Sequence, residues 1–153
     1  MSLKDQITED MKTAMRAKDS ERLGTIRLLL SAVKQKEVDK RVVVDDVMVI
    51  AIIDKMIKQR KDSIDAFTKA DRKDMADKEA AEITVLTAYL PARMGADEVL
   101  TAVKAIVAGL AEASGTKIGP GDMGKVMGSA KAQLAGKADM GQVSAAVKAA
   151  LAD

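Results

Sequence analysis

Gly119-Pro120-Gly121-Asp122-Met123-Gly124-Lys125-Val126-Met127-Gly128 is the stretch on which the fold class turns. Its spacing fits G-x-x-x-x-G-K, the opening of a P-loop, and a P-loop would make the chain an α/β nucleotide-binding protein. Two features remove that reading. The residue after the lysine must carry a hydroxyl to hold magnesium, and it is Val126. A P-loop also joins a strand to a helix, and no strand pattern precedes Gly119. The stretch therefore reads as a turn, with Asp122 able to cap the helix that follows. Met123, Val126, Met127, Ala130 and Leu134 recur on one face at helical spacing, and Lys125 projects almost opposite them. Gly121, Gly128, Ser129, Ala132 and Gly136 lie near Lys125. The result is a lone cation on a flat face of small residues: on residue chemistry alone a solvated helix face with glycines chosen for tight turns, or else a face that a nucleic-acid backbone or another helix could approach closely. Lys117, Lys131 and Lys137 add charge along this part of the chain, against Asp122 alone.

Working outward, the rest of the chain also carries the helical period. Leu3, Ile7, Met11 and Met15 predict a first helix to about Lys18, with Ser2 and Asp5 spaced as a capping box. Asp19 caps a second, striped by Leu23, Ile26, Leu30, Val33 and Val38, whose charged end from Lys36 to Arg41 is expected to fray. Val42 to Val44 reads as an extended linker. Asp45 or Asp46 caps a third helix to about Ala70, and its apolar first turns, Val47 to Ile53, predict the most buried part of the protein. Arg60 falls on the apolar stripe of Ile53, Ile57 and Ile64. The expected arrangement is a buried stem with its head in water, with a partner in Glu79 or Glu82 as the alternative. A fourth helix is expected from Asp71 to Leu90, ended by Pro91. Gly95 with Asp97 and Glu98 opens a fifth, which Ser114-Gly115 stops. A sixth runs from about Met123 to Ala135, Gly136 ends it, and Asp139 with Gln142 caps the seventh.

Composition bounds the function. The chain has 153 residues, 48% of them hydrophobic and 31% charged, which suits a globular protein. It has no cysteine and no histidine, so thiolate chemistry, disulfides, and zinc sites built on either residue are excluded. The commonest general base is missing too. The net charge of +2 argues against strong nonspecific binding to nucleic acid. With Phe67 and Tyr89 as the only aromatics, no base-stacking platform is possible, so an RNA partner would be folded and read through its backbone and shape. No apolar run suggests a membrane span and the first residues lack a signal-peptide core, so a cytoplasmic location is expected. Lys55, Lys58 and Lys61, interleaved with Asp54, Asp62 and Asp65, read as a solvated helix face. Ser63 with Lys58 or Lys61, Asp45-Asp46 and Glu79/Glu82 are the only constellations with catalytic residue types, and spacing supplies no orienting third group for any of them.

Against these residues the chain resembles the GatB/YqeY family along essentially its whole length. The resembling stretches in the first part are Glu21-Arg-Leu23, Ile26-Arg-Leu28, Ile57-Lys-Gln-Arg-Lys-Asp-Ser-Ile64 with Phe67, Ala70-Asp-Arg-Lys-Asp-Met75, Glu79, Glu82 and Tyr89-Leu-Pro91. In the second they are Asp122-Met-Gly-Lys-Val-Met-Gly128, Gly136-Lys-Ala-Asp139 and Val147-Lys148, a set shared with the tail domain of the GatB subunit of tRNA-dependent amidotransferases. Thr116-Lys-Ile-Gly-Pro-Gly121 is more glycine-rich than the family pattern. The resemblance implies a free-standing YqeY-like protein with an all-α fold: about four helices over residues 1–91, then a small three-helix tail domain over residues 92–153. It also implies a tRNA-binding or tRNA-amidotransferase-associated accessory role. Relatives are linked to carbon–nitrogen ligase activity with glutamine as the amido-nitrogen donor, but no amidase or ATP site is visible here.

Lys125 and Lys137 carry over as RNA contacts, and Lys131 and Lys117 join them on electrostatic grounds. Asp122, Met123, Gly124, Gly128, Gly136 and Asp139 are the structural residues of the motif. No cofactor, metal or membrane partner is expected, and no catalysis by the chain alone. The alternative is a protein-interaction module that receives a partner's helix on the small-residue face or in a groove between the domains.

Overall fold

The computed structural model describes residues 1–152, and the terminal Asp153 lies outside the described residues. The protein is all-α: seven α-helices and one turn of 3-10 helix, with no strand among the described residues. The chain divides into two compact units, one from Met1 to Leu90 and one from Pro91 onward.

The first unit holds α1 (Leu3–Arg16), α2 (Ser20–Lys40), α3 (Asp46–Lys69) and α4 (Lys73–Thr87). Short polar side chains start three of them. Ser2 accepts from the Asp5 amide, Asp19 from Arg22, and Asp45 from Met48, each relieving an amide that has no partner inside its helix. The Ser2 hydroxyl and amide in turn hold the Asp5 carboxyl below its ordinary pKa. The amide of Leu3 reaches further and donates to Asp46 Oδ1 at 2.9 Å, tying the start of α1 to the start of α3. The core is a cluster of Ile7, Ile26, Leu29, Val33, Val49, Ile53 and Leu86, closed by Val44 from the linker.

Several expectations change here. The second helix does not fray: it runs to Lys40, held by a Lys4–Glu37 ion pair and a 2.7 Å hydrogen bond from Gln35 to Asp39, and closed by Arg41 in the left-handed conformation at φ 53°. Its buried face centres on Ile26, Leu29 and Val33, with Leu23 and Leu30 half-buried against the core, and Val38 falls off it. Val38 lies five residues beyond Val33, about 140° around the helix, and is 60% exposed. The first turns of α3 are not the most buried part. Val49 and Ile53 are fully buried, but Val47 is 49% exposed, because α3 is covered on one side only at this end. The fourth helix starts at Lys73 instead of Asp71, since Asp71 takes φ 57° and completes the end of α3. The amide of Arg72 returns to the Phe67 carbonyl at 2.8 Å.

Arg60 is paired. Its Nε donates to Glu82 Oε2 at 2.8 Å across α3 and α4, and a second guanidinium N–H bonds the Met56 carbonyl at 3.2 Å. The side chains are 12% and 18% exposed, so the reading that puts the arginine head in water is replaced by the Glu82 pair.

The second unit holds α5 (Ala96–Ser114), the 3-10 turn Pro120–Asp122, α6 (Met123–Leu134) and α7 (Met140–Ala152). Its core is separate, built from Val99, Val103, Val126, Ala130, Val143 and Val147. Gly115 closes α5 at φ 71°, and Gly136 takes φ 75° after α6. Both positions need the left-handed region that glycine enters without strain.

Candidate functional site

The glycine-rich stretch folds as turn and helix. Asp122 turns its carboxylate back to the Gly119 amide, 3.1 Å from Oδ2, which closes the 3-10 turn before α6. Ile118 is buried beside that turn and anchors it. Val126, Ala130 and Leu134 are buried in the core of the unit, with Met123 and Met127 packed at its edge. Lys125 therefore faces outward and is exposed, as are Gly124 and Gly128. A Cβ placed on Gly119, Gly121, Gly124 or Gly128 would meet nothing within 4 Å. The fold does not need these glycines for close packing inside the chain, so their bareness is a property of the outer surface.

The helix sets where the other lysines point. Ser129 and Ala132 follow Lys125 by one and two turns on its side of α6. Lys131 lies about 120° around the helix from Lys125, so the two flank different edges of the exposed face. Lys117 stands in the loop before the 3-10 turn, next to Ile118. Lys137 is the most firmly held. Its amide donates to the Leu134 carbonyl at 2.9 Å, its own carbonyl accepts from the Met94 amide at 3.0 Å, and Ala138 beside it is buried. The backbone is thus pinned on both sides while the side chain stays exposed. Asp139 caps α7 through the Gly141 amide, 2.9 Å from Oδ1.

Lys137 also borders a groove of about 510 Å³ between α5 and α6. Ile106, Leu110 and Leu134 supply apolar floor, and Gly109, Ala102 and Ala105 keep the α5 wall low. Ser129 and Gln133 line the α6 side, with Gln133 donating to Ser129 Oγ at 3.1 Å. Ser129 belongs both to this groove and to the face of Lys125. The structure therefore brings Ser129 and Lys137 to one groove, with Lys125 one turn before Ser129 at the start of α6, and leaves Lys125, Lys131 and Lys117 outside the groove's lining. The sequence reading missed the contribution of α5. Gly109, a glycine inside an otherwise regular helix, was the signal available for it.

Three of the paired carboxylates have structural uses. Asp45 caps α3, Asp46 accepts from Leu3, and Glu82 pairs with Arg60. Among the described residues no group of three or more carboxylates gathers as a metal site. Among the described residues no helix is long and apolar enough to cross a membrane. Lys55, Lys58 and Lys61 are all exposed on α3.

An all-helical chain of this kind, with four helices followed by three and a lysine-bearing, glycine-rich sixth helix, matches the family described as Yqey-like protein over residues 4–151. The chain belongs to that family. It is similar to the Altered inheritance of mitochondria protein 41, mitochondrial, of Kluyveromyces lactis, 45% identical over 84 residues that cover 54% of this chain and 45% of that protein. The protein of the same name in Vanderwaltozyma polyspora is 39% identical over 113 residues, 72% of this chain and 61% of the relative. That of Pyrenophora tritici-repentis is 32% identical over 131 residues, 84% and 71%. The chain thus spans about half the length of the first of these relatives, 45%, and 61% of the second.

Proposed function

We propose that this protein binds tRNA, or a tRNA–enzyme complex, through its second unit, as an accessory to amidotransfer chemistry carried out by other chains. The observation that carries the reading is the outer surface of α6. Lys125 stands exposed between glycines that leave open space around them in the first turn of α6, and the exposed, backbone-pinned Lys137 stands beyond the helix's other end. A phosphate backbone needs cations it can reach without steric bulk beside them, and it tolerates a neutral protein if the charge is local. Near-absence of aromatics fits a partner held by backbone and shape rather than by stacked bases.

The test is tRNA binding by the full chain as salt is varied. Lys125→Glu with Lys137→Glu abolishes binding and leaves the melting temperature nearly unchanged, while Lys131→Glu or Lys117→Glu alone weakens it. With two to four phosphates engaged, log K falls against log salt with a slope of about −2 to −4. Binding retained at low salt by the double variant overturns the proposal. The same reading places the protein in the cytoplasm, whereas the fungal relatives above carry "mitochondrial" in their names. A fluorescent fusion confined to mitochondria would overturn that placement.

A further inference from the structure

The first unit carries a groove that the RNA reading does not use. It lies between the second half of α2 and the first half of α3 and holds about 670 Å³. Its walls are two helical ridges in steps of four: Ala32, Lys36 and Lys40 along α2, and Met48, Ile52 and Met56 along α3. Ridges at this spacing are the surface into which a third helix packs. The floor is apolar and adaptable, with Met56 buried and Met48 and Ile52 half-buried. Methionine re-packs around an incoming side chain more readily than a branched residue does. Ala32 and Ala51 are small enough for a backbone to come close. At the open end the apolar surface continues at Val47, one turn before Ala51, and Val43 in the linker is 87% exposed.

Charge says what would fill it. Lys36, Lys40 and Lys55 stand around the floor, and no ion pair among the described residues engages any of them. The one carboxylate on the rim, Asp39, already accepts from Gln35 at 2.7 Å. We infer that this groove receives an acidic amphipathic α-helix of another protein, its apolar residues on Met48, Ile52 and Met56 and its carboxylates on Lys36, Lys40 and Lys55. The α3 ridge from Met48 to Gln59 is about 16 Å long, matching about three turns of such a helix. A strand has no sheet edge to join here, since no strand exists among the described residues. A nucleic acid would use the lysines and leave the methionine floor bare. A bilayer is flat, and the floor is recessed below the lysines.

The test uses the full chain and a synthetic helical peptide with Leu at i, i+3, i+4 and i+7 and Glu on the flanking positions. One control peptide keeps the Leu pattern and carries Lys in place of Glu. A second keeps the Glu and scrambles the Leu. Fluorescence anisotropy should show the acidic amphipathic peptide binding at least about tenfold more tightly than either control, since opposite charges across an interface set its specificity. In isotope-labelled protein the amide shifts should cluster on Met48, Ala51, Ile52 and Lys55 of α3 and on Lys36 and Lys40 of α2. Lys36→Glu, Lys40→Glu and Lys55→Glu together should weaken the acidic peptide at least about tenfold and favour the Lys peptide, with an unchanged circular-dichroism spectrum. These exposed or half-exposed lysines hold no ion pair, so their replacement tests the groove rather than the fold. Equal affinity for the acidic and basic peptides overturns the inference. So do shifts elsewhere, or tRNA or phosphatidylglycerol vesicles perturbing the groove residues more strongly than the peptide does.

Discussion

Tyr89 is the single tyrosine of the chain, and its hydroxyl donates to Asp10 Oδ2 at 2.7 Å with Arg22 3.9 Å from the same oxygen. Burial first, and then the hydrogen bond to Asp10, raise its pKa from about 10 to about 12. The folded protein therefore keeps this proton where the unfolded chain has lost it. The stability from Tyr89 is complete below pH 10 and declines as pH rises from about 10 to about 12. Phenolate absorbance checks this directly: the native protein should titrate near the upper value, the denatured protein near the lower, and Asp10→Asn should bring the native value down. Arg60 and Glu82 offer a second test at this scale. Removing either partner strands a largely buried charge, and Arg60→Ala or Glu82→Ala should each cost about 2–3 kcal/mol in urea unfolding. The double variant Arg60→Met with Glu82→Leu should cost less than the two single losses together. The sequence located Arg60 on an apolar stripe and named Glu82 as one of two partners, because helical spacing fixes which face a residue occupies. It favoured water over the partner and was wrong, because the outcome depends on the distance between α3 and α4, which spacing along one helix does not carry.

Element boundaries were legible where a side chain chemically starts or stops a helix. Ser2, Asp19, Asp45 and Gly115 all act where the sequence places them. The phase of α2 was not legible. Leu28, Leu29 and Leu30 are consecutive, and only the positions of the neighbouring helices decide that Leu29 goes inside. The all-α class followed from the helical period along the chain together with the family resemblance, while Val126 and the missing strand removed only the P-loop; the partnership of α5 with α6 that forms the groove beside Lys137 left only Gly109 as a trace. The glycines of α6 permit a clean contrast. Gly128 is helical with open space around it, so Gly128→Ala should stabilise the protein by about 0.5–1 kcal/mol. Gly115 sits at φ 71°, so Gly115→Ala should destabilise it by about 1 kcal/mol. Thermal unfolding of both variants measures the difference. A stabilised Gly128→Ala that binds tRNA more weakly would show that the glycine costs folding stability and serves binding.

At the scale of the molecule, two separate cores carry two different surfaces. Ile26, Leu29, Val49, Ile53 and Leu86 belong to one, and Val103, Val126, Ala130, Val143 and Val147 to the other. Each unit buries its own apolar side chains, so each should fold when expressed alone. Residues 1–90 should give a cooperative melt and a dispersed amide spectrum. Residues 91–153 should do the same at lower stability, because a shorter chain buries a smaller share of its surface. Their lysines divide in the same way: Lys36, Lys40 and Lys55 in the first, Lys125 and Lys137 in the second. Once both fragments are seen to fold, residues 91–153 should retain the salt-sensitive tRNA binding, and residues 1–90 should retain the acidic peptide. Peptide binding that survives only in the intact chain would show that the groove depends on the second unit. Binding of both ligands by one fragment would mean that the two surfaces are not separate sites.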